Sequence, residues 1–308
     1  MYFCAVPPVQ KKTTNPAQRQ ASAKKVLQPN KPATRKRKAP AKKKKPVPLA
    51  LKFAIAALLL VLASPLYYGY ILKMFISAKQ WVMDIGEDPN YRSYKSYAIR
   101  IPKGYEIHGI DVSSYQGKID WKMVRAMKED KVKVDFAFIK ATQGISGVDP
   151  YFQRNWREAP KAGVVCGAYH YFIPRKSGLW QARFFLQTVK FDTGDLPPVV
   201  DVEELSGVEP EKMRAELKDF LDHIEQKTKV RPIIYSGLVF YRDYLKGHFD
   251  DYPLWIAHYY QAELKAGAKT KWFFWQHSDR AKISGINHVV DFNVFRGDSL
   301  SFQQMLIK

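Results

Sequence analysis

Beyond His108 the chain alternates between short apolar or β-branched runs and longer stretches of helical or loop character. The runs are residues 108–113, 134–142, 164–172, 198–204, 232–237, 254–259, 272–278 and 288–294. Within them hydrophobicity is continuous rather than alternating, the pattern of strands covered on both faces, as in a helix-wrapped parallel sheet. Eight strands are what a closed parallel barrel needs. Helices are expected between several of them. Residues 120–131 carry Trp121, Val124 and Met127, and residues 149–162 open with Asp149 as N-cap and Pro150 at the first helical position. Residues 209–227 start near Pro210 and place Met213, Leu217, Phe220, Leu221 and Ile224 on one stripe. The links before the last two runs are only about 12 and nine residues long. The predicted fold is therefore α/β, an irregular TIM-like β/α barrel with some helices missing, spanning 108–308.

A different pattern precedes it. From Phe53 to Leu72 twenty residues run without a charge, bounded by Lys52 and Lys73. A helix of that length covers about 30 Å, the thickness of a hydrocarbon core. Tyr67, Tyr68 and Tyr70 suit an interfacial belt near its far end. A cleaved signal peptide would carry a shorter preamble and a shorter apolar stretch. The expectation is a single transmembrane signal anchor at 53–72, with residues 1–52 cytoplasmic and the barrel periplasmic or extracellular. Residues 73–107 read as a stalk, with the helix continuing to about Ile85 and the Tyr-rich remainder without a clear pattern.

Charge refines this division. The 308 residues carry a formal net charge of +21, which first suggests a nucleic-acid binder. Residues 1–46 alone hold fourteen Lys and Arg without one acid, whereas the 34 basic residues after Lys73 share the chain with all 29 acidic ones. Such a Pro/Ala/Lys-rich segment cannot bury enough surface to fold, so 1–52 is expected to be a disordered tail. It is suited to anionic lipid headgroups, and nucleic acid is the less favoured partner. The 46% apolar content supplies a core and excludes wholesale disorder. Two cysteines, Cys4 in the tail and Cys166 in an apolar run, make no disulfide framework.

In a barrel of this kind the working residues gather at the C-terminal ends of the strands. Polar residues that interrupt an apolar run near its end are Asp111, Gln143, Tyr169, His170, Asp201, Glu203, Tyr235, Gln276, Asp291 and Asn293. Asp201 and Glu203 are two apart, so on a strand both carboxylates face the same way. Two adjacent carboxyls among valines disfavour double ionisation, and one should hold a proton near neutrality. A protonated carboxyl beside an ionised one is the pair that glycosidic cleavage uses. Solvated strand-end carboxylates are the bland alternative, and an oxygen cage formed by Asp111, Asp201, Glu203 and Asp291 around a hard cation is another. No His-rich spacing supports zinc, and no metal or cofactor is assigned.

The ordered segments HGIDVSSYQGKIDW (108–121), FAFIKATQG (136–144), GAYHYF (167–172), VVDVE (199–203), IIYSG (233–237), LWIAHY (254–259), FWQHS (274–278) and VVDFNVF (289–295) resemble the motif set of glycoside hydrolase family 25, the Chalaropsis-type lysozymes. The Asp149, Phe152, Asn155 and Ala162–Gly163 spacing belongs to the same set. The resemblance implies a muramidase that hydrolyses the β-1,4 bond between N-acetylmuramic acid and N-acetylglucosamine in peptidoglycan glycan strands. It implies Glu203 as general acid and Asp201 as the carboxylate steering the substrate 2-acetamido group, with Asp111 and Asp291 as the remaining acids of the cleft. Gln143 stands where family members often carry Glu, which keeps a hydrogen-bonding shape and loses a charge. Tyr169, Tyr171, Tyr235, Trp255 and Trp275 are candidates for sugar stacking, and Gln276 and Gln143 for hydrogen bonds to substrate. His170 opposes the face shared by Tyr169 and Tyr171 and reads as structural. The functional expectation is a membrane-anchored peptidoglycan hydrolase acting in wall remodelling. A non-catalytic peptidoglycan-binding scaffold on the same barrel is the alternative.

Overall fold

The computed structural model describes residues 48–62, 74, 90–267 and 270–308. Its two compact units divide near residue 68. In the first, helix α1 spans Leu49–Leu62, so Lys52 lies inside the helix rather than bounding it. The rest of the expected span, 63–72, lies outside the described residues, as do most of the basic tail, Cys4 and the expected helix to Ile85. Among the described residues no helix is long and apolar enough to cross a membrane.

The second unit is built on a closed barrel of eight strands, β1 (His108–Val112), β2 (Phe136–Gln143), β3 (Val165–Tyr171), β4 (Val199–Asp201), β5 (Ile233–Gly237), β6 (Leu254–Ala257), β7 (Trp272–Ala281) and β8 (Val290–Phe295). Each lies on one of the eight apolar runs. Neighbours β1 to β7 pair in parallel, and β1 pairs with β2 to close one side. The last strand departs from the all-parallel expectation: β8 is antiparallel to both β7 and β1. The short link from β7 permits only a hairpin return, because a parallel crossover needs a dozen or more residues.

Helices α2 (Trp121–Ala126), α3 (Phe152–Lys161), α4 (Gly178–Thr188) and α5 (Pro210–Thr228) follow the first four strands. After β5 there is a short helical stretch at 238–245, and among the described residues no helix joins β6 to β7 or β7 to β8. Helix α6 (Ser299–Met305) comes last. Asp120 caps α2 by accepting from the amides of Lys122 and Met123.

Residues expected to act as a stalk up to 107 instead include a β-hairpin, Tyr91–Tyr94 with Ile99–Pro102. Its Tyr97, Ile99 and Ile101 are buried in the same hydrophobic cluster as the outer faces of the barrel strands. The Tyr97 hydroxyl donates to the carbonyls of Met127 and Val132. Among the described residues the folded unit therefore reaches back to residue 90, into the expected stalk. Four-residue strands rich in Tyr, Arg and Ser carry too little alternation to be visible in the sequence.

The barrel interior is aromatic. Phe136, Phe274, Phe295 and Phe302 pack toward the β-strand N-terminal end, with Phe136 and Phe274 5.2 Å apart and Phe302 arriving from α6. Above them Phe138 stacks on Trp255 at 4.3 Å, and Tyr235 covers Trp255 at 4.4 Å. Two strand glycines make room for these rings: a Cβ on Gly109 would come within 2.4 Å of Phe136, and one on Gly167 within 2.7 Å of Phe138. Because the Phe136 ring has no free direction to move, Gly109→Ala is expected to destabilise the fold by about 2 kcal/mol, read from denaturant unfolding.

Candidate active site

Above Trp255 the interior turns polar. Asp111, at the end of β1, is buried, and its Oδ2 accepts from Gln276 Nε2 at 2.8 Å and from Asn293 Nδ2 at 2.7 Å. Both amides are held in that orientation. Gln276 Oε1 accepts from the hydroxyls of Tyr235 and Tyr259, each at 2.7 Å, and Asn293 Oδ1 accepts from Trp255 Nε1 at 2.8 Å. Every polar group of this cluster is thus committed, which fixes the Asp111 carboxylate in place.

Asp291 sits directly opposite Asp111 in the β8–β1 register. This follows from the reversed direction of β8. Its first residues lie beside the C-terminal end of β1, so Asp291 reaches the mouth although it begins its strand. The two carboxyls hydrogen-bond. Burial, then the Asp111 charge, pushes Asp291 up to about 9. Asp111 is raised by burial to about 6, held back by the bonds from Asn293, Gln276 and Asp291. Both carboxyls of the pair are therefore disfavoured as anions, Asp291 the more strongly.

Asp201 ends β4, and Glu203 lies two residues on, beyond the strand. Their carboxyls hydrogen-bond to each other, and burial followed by the Glu203 charge raises Asp201 well above the usual carboxylate range. Asp201 is buried among the valines that disfavour charge, whereas Glu203 is exposed. The second oxygen, Asp201 Oδ1, is buried and has no hydrogen-bond partner among the described residues.

The four carboxyls act on one another electrostatically, Glu203 on both Asp111 and Asp291, and Asp111 on Asp201. They fall into two pairs, Asp111 with Asp291 and Asp201 with Glu203. Among the described residues no cluster has the arrangement of a metal cage.

The remaining candidates divide by the face of their strand. Tyr169 and Tyr171 are half-buried; Tyr169 meets Trp255 edge-on at 6.4 Å, and Tyr171 lies level with Asp201. Gln143 is exposed and accepts from Lys140 Nζ at 3.1 Å, while that ammonium also lies 4.9 Å from the Tyr171 ring centroid. Tyr235 and Trp255 are buried floor and support. Gln276, expected to touch substrate, is 2% exposed and serves to orient Asp111. Trp275, adjacent in sequence, points to the opposite face: it is fully buried outside the barrel against Tyr105 and Trp272, with Nε1 donating to the His258 carbonyl at 2.8 Å. It is no sugar platform. His170 is structural, bonded through Nδ1 to Thr142 and through Nε2 to Gln181, and stacked on Phe220.

Tyr259 and Lys140 belong to the site beside the expected set, and Asn293 was among the polar residues expected at a strand end. Lys140 interrupts an apolar strand with polarity, the signal that picked out Asp111; Tyr259 lies past the end of β6, where pattern gives no guide.

These groups make stability depend on pH in two opposing ways. The acids have folded values above their ordinary ones, so the fold binds their protons more tightly than the unfolded chain does. The stability they provide is complete below about pH 4 and is lost as pH rises toward about 9. Burial lowers His108 to about 4 and His170 and His277 to about 3, so their contribution is present above about pH 6.5 and lost on acidification. The two trends offset each other between about pH 4 and 6.5, and the unfolding midpoint is expected to fall above that window. Thermal unfolding across pH checks this, and Asp291→Asn should flatten the alkaline limb.

The sequence profile of glycosyl hydrolases family 25 matches residues 110–286. The chain belongs to glycosyl hydrolase family 25. The matched segment runs from β1 into the β7–β8 link and contains Asp111, Asp201 and Glu203. Lysozyme M1 of Streptomyces globisporus is 31% identical over 207 residues, covering 63% of this chain and 69% of that protein. A family 25 glycosyl hydrolase structure from Bacillus anthracis is 32% identical with a TM-score of 0.61, covering 71% of this chain and 99% of that one. An uncharacterized protein of Escherichia coli K12, YegX, is 47% identical over 243 residues, 79% of this chain and 89% of its own. This family 25 chain is a glycoside hydrolase of the lysozyme type.

Proposed function

We propose that this hydrolase is a muramidase cleaving the β-1,4 bond between N-acetylmuramic acid and N-acetylglucosamine in peptidoglycan, with Glu203 as the acid and Asp201 as the group that orients the substrate. The observation that carries this reading is the placement of a buried carboxyl, Asp201, two residues from an exposed one, Glu203, with Asp201 Oδ1 lacking a hydrogen-bond partner among the described residues. A glycan filling the mouth removes water from Glu203 and disfavours its charge, which draws the proton from Asp201 to Glu203. Glu203 then donates it to the glycosidic oxygen as the bond to the anomeric carbon breaks. Asp201, left ionised, accepts the N–H of the substrate 2-acetamido group and turns its carbonyl oxygen toward the anomeric carbon. Water completes the hydrolysis, giving a reducing end and returning the proton to the pair. Asp111 and Asp291 face the positive charge that develops on the ring from the opposite wall.

The barrel is held at a membrane by residues 53–72, with the basic tail against anionic headgroups. Support comes from the sequence, namely twenty uncharged residues between two lysines after an acid-free basic segment. Tethering confines cutting to wall near the membrane, which suits remodelling and places the barrel in the periplasm or outside the cell.

Digesting purified peptidoglycan with the full-length chain and mapping the muropeptides tests the activity. Products ending in reducing N-acetylmuramic acid are expected; any other reducing sugar, or none, overturns the bond assignment. Resistance of the protein to carbonate extraction from membranes tests the anchor.

A further inference from the structure

Outside the acid pairs, the mouth carries an aromatic pair on its rim that no step of the reaction uses. Tyr115 is 65% exposed, and its ring lies 5.4 Å from the exposed ring of His288. Both stand on loops directly above Asp111 and Asp291, Tyr115 four residues after the one acid and His288 three before the other. These loops are built rather than loose. Ser113 caps the short helical turn Ser114–Gln116. Gln116 Nε2 reaches across to the Val289 carbonyl at 3.1 Å, and the Ser114 amide donates to Asp149 Oδ2 at 2.6 Å. The turn is thus tied to the β8 side and the β2 side at once, and Val289 adds exposed apolar surface beside the rings.

Two exposed rings on a doubly fastened turn have no packing role to explain them. Large apolar groups held rigid at the edge of a cleft mark an interaction site, and aromatic rings give contact area at low entropic cost. The two loops join directly onto the strand ends that carry Asp111 and Asp291, so the occupant is the same polymer. We propose that Tyr115 and His288 form a saccharide platform, a subsite on the β1–β8 wall across the barrel from Glu203, where a sugar ring of the glycan strand stacks away from the bond being cut. This rests on the muramidase reading. Its consequence is a preference for long strands, because a fragment occupying only the positions around the cleaved bond never reaches the platform.

The test measures binding and turnover separately, using the full-length chain with long uncrosslinked glycan strands and with a peptidoglycan tetrasaccharide. Tyr115→Ala is expected to weaken binding of long strands about fivefold to tenfold and to raise KM by the same factor at unchanged kcat. Tetrasaccharide binding should stay at the wild-type level. His288→Ala should do the same to a lesser degree, and Tyr115→Trp should keep long-strand affinity. An unchanged thermal midpoint shows that the turn is intact. Wild-type affinity of Tyr115→Ala for long strands, or an equal loss on both substrates, overturns the platform. If the wild type binds strands without cutting them, the muramidase reading fails while the platform is still decided by the binding ratio; if it binds neither saccharide, both fall.

Discussion

Replacing Glu203 by Gln is expected to lower peptidoglycan turnover about a thousandfold or more, with the thermal unfolding midpoint unchanged. The two outcomes separate because of where the residue sits. Glu203 is exposed beyond the end of β4, so its removal leaves no orphaned group in the core. Its loss takes away the only carboxyl of the pair that faces outward, toward where a leaving oxygen would lie. The substitution also removes the charge that raises Asp201, so Asp201 should ionise at lower pH in the variant. Release of reducing ends reports the first effect, and carboxyl titration by NMR the last. Turnover within about tenfold of wild type would exclude Glu203 as the acid.

Asp111→Ala is expected to act on both stability and chemistry. The carboxylate accepts two amide donors that are themselves pinned by Tyr235, Tyr259 and Trp255. Without it, Gln276 and Asn293 cannot turn to new partners except by breaking those bonds. Leaving two buried donors unsatisfied costs about 3 kcal/mol. Activity should fall with stability, since Asp291 loses the charge opposite it and the wall facing the substrate loses its anion. Denaturant unfolding and reducing-end release at a temperature where the variant remains folded distinguish the two effects. A destabilisation below about 1 kcal/mol would show that water replaces the carboxylate as acceptor.

The barrel strands were legible because each is buried on both faces and therefore reads as an unbroken apolar run; the direction of a strand leaves no such trace. Strand β8 has the same composition whichever way it runs, and only the shortness of its link hinted at a hairpin. The acids were legible as charges set into apolar runs. Which aromatic groups face inward was not, because the bulges between β7 and β8 and the neighbour-by-neighbour alternation decide it. Trp275 and Gln276 show the difference one residue makes: one lies outside the barrel, the other on its axis. The spacing of Asp201 and Glu203 implied that one carboxyl is raised, and the uneven burial that raises Asp201 belongs to the folded chain.

Closure by β8 has a further consequence for when the enzyme becomes active. Asn293 and its partner Asp111 are 182 positions apart, and Asp291 enters the mouth with the same strand. The earlier strands and the Asp201–Glu203 pair can form first, but the wall opposite them is missing until β8 has docked against β1. Contacts this distant in sequence are also the slowest to form. Competence to cut is therefore coupled to the last step of barrel closure.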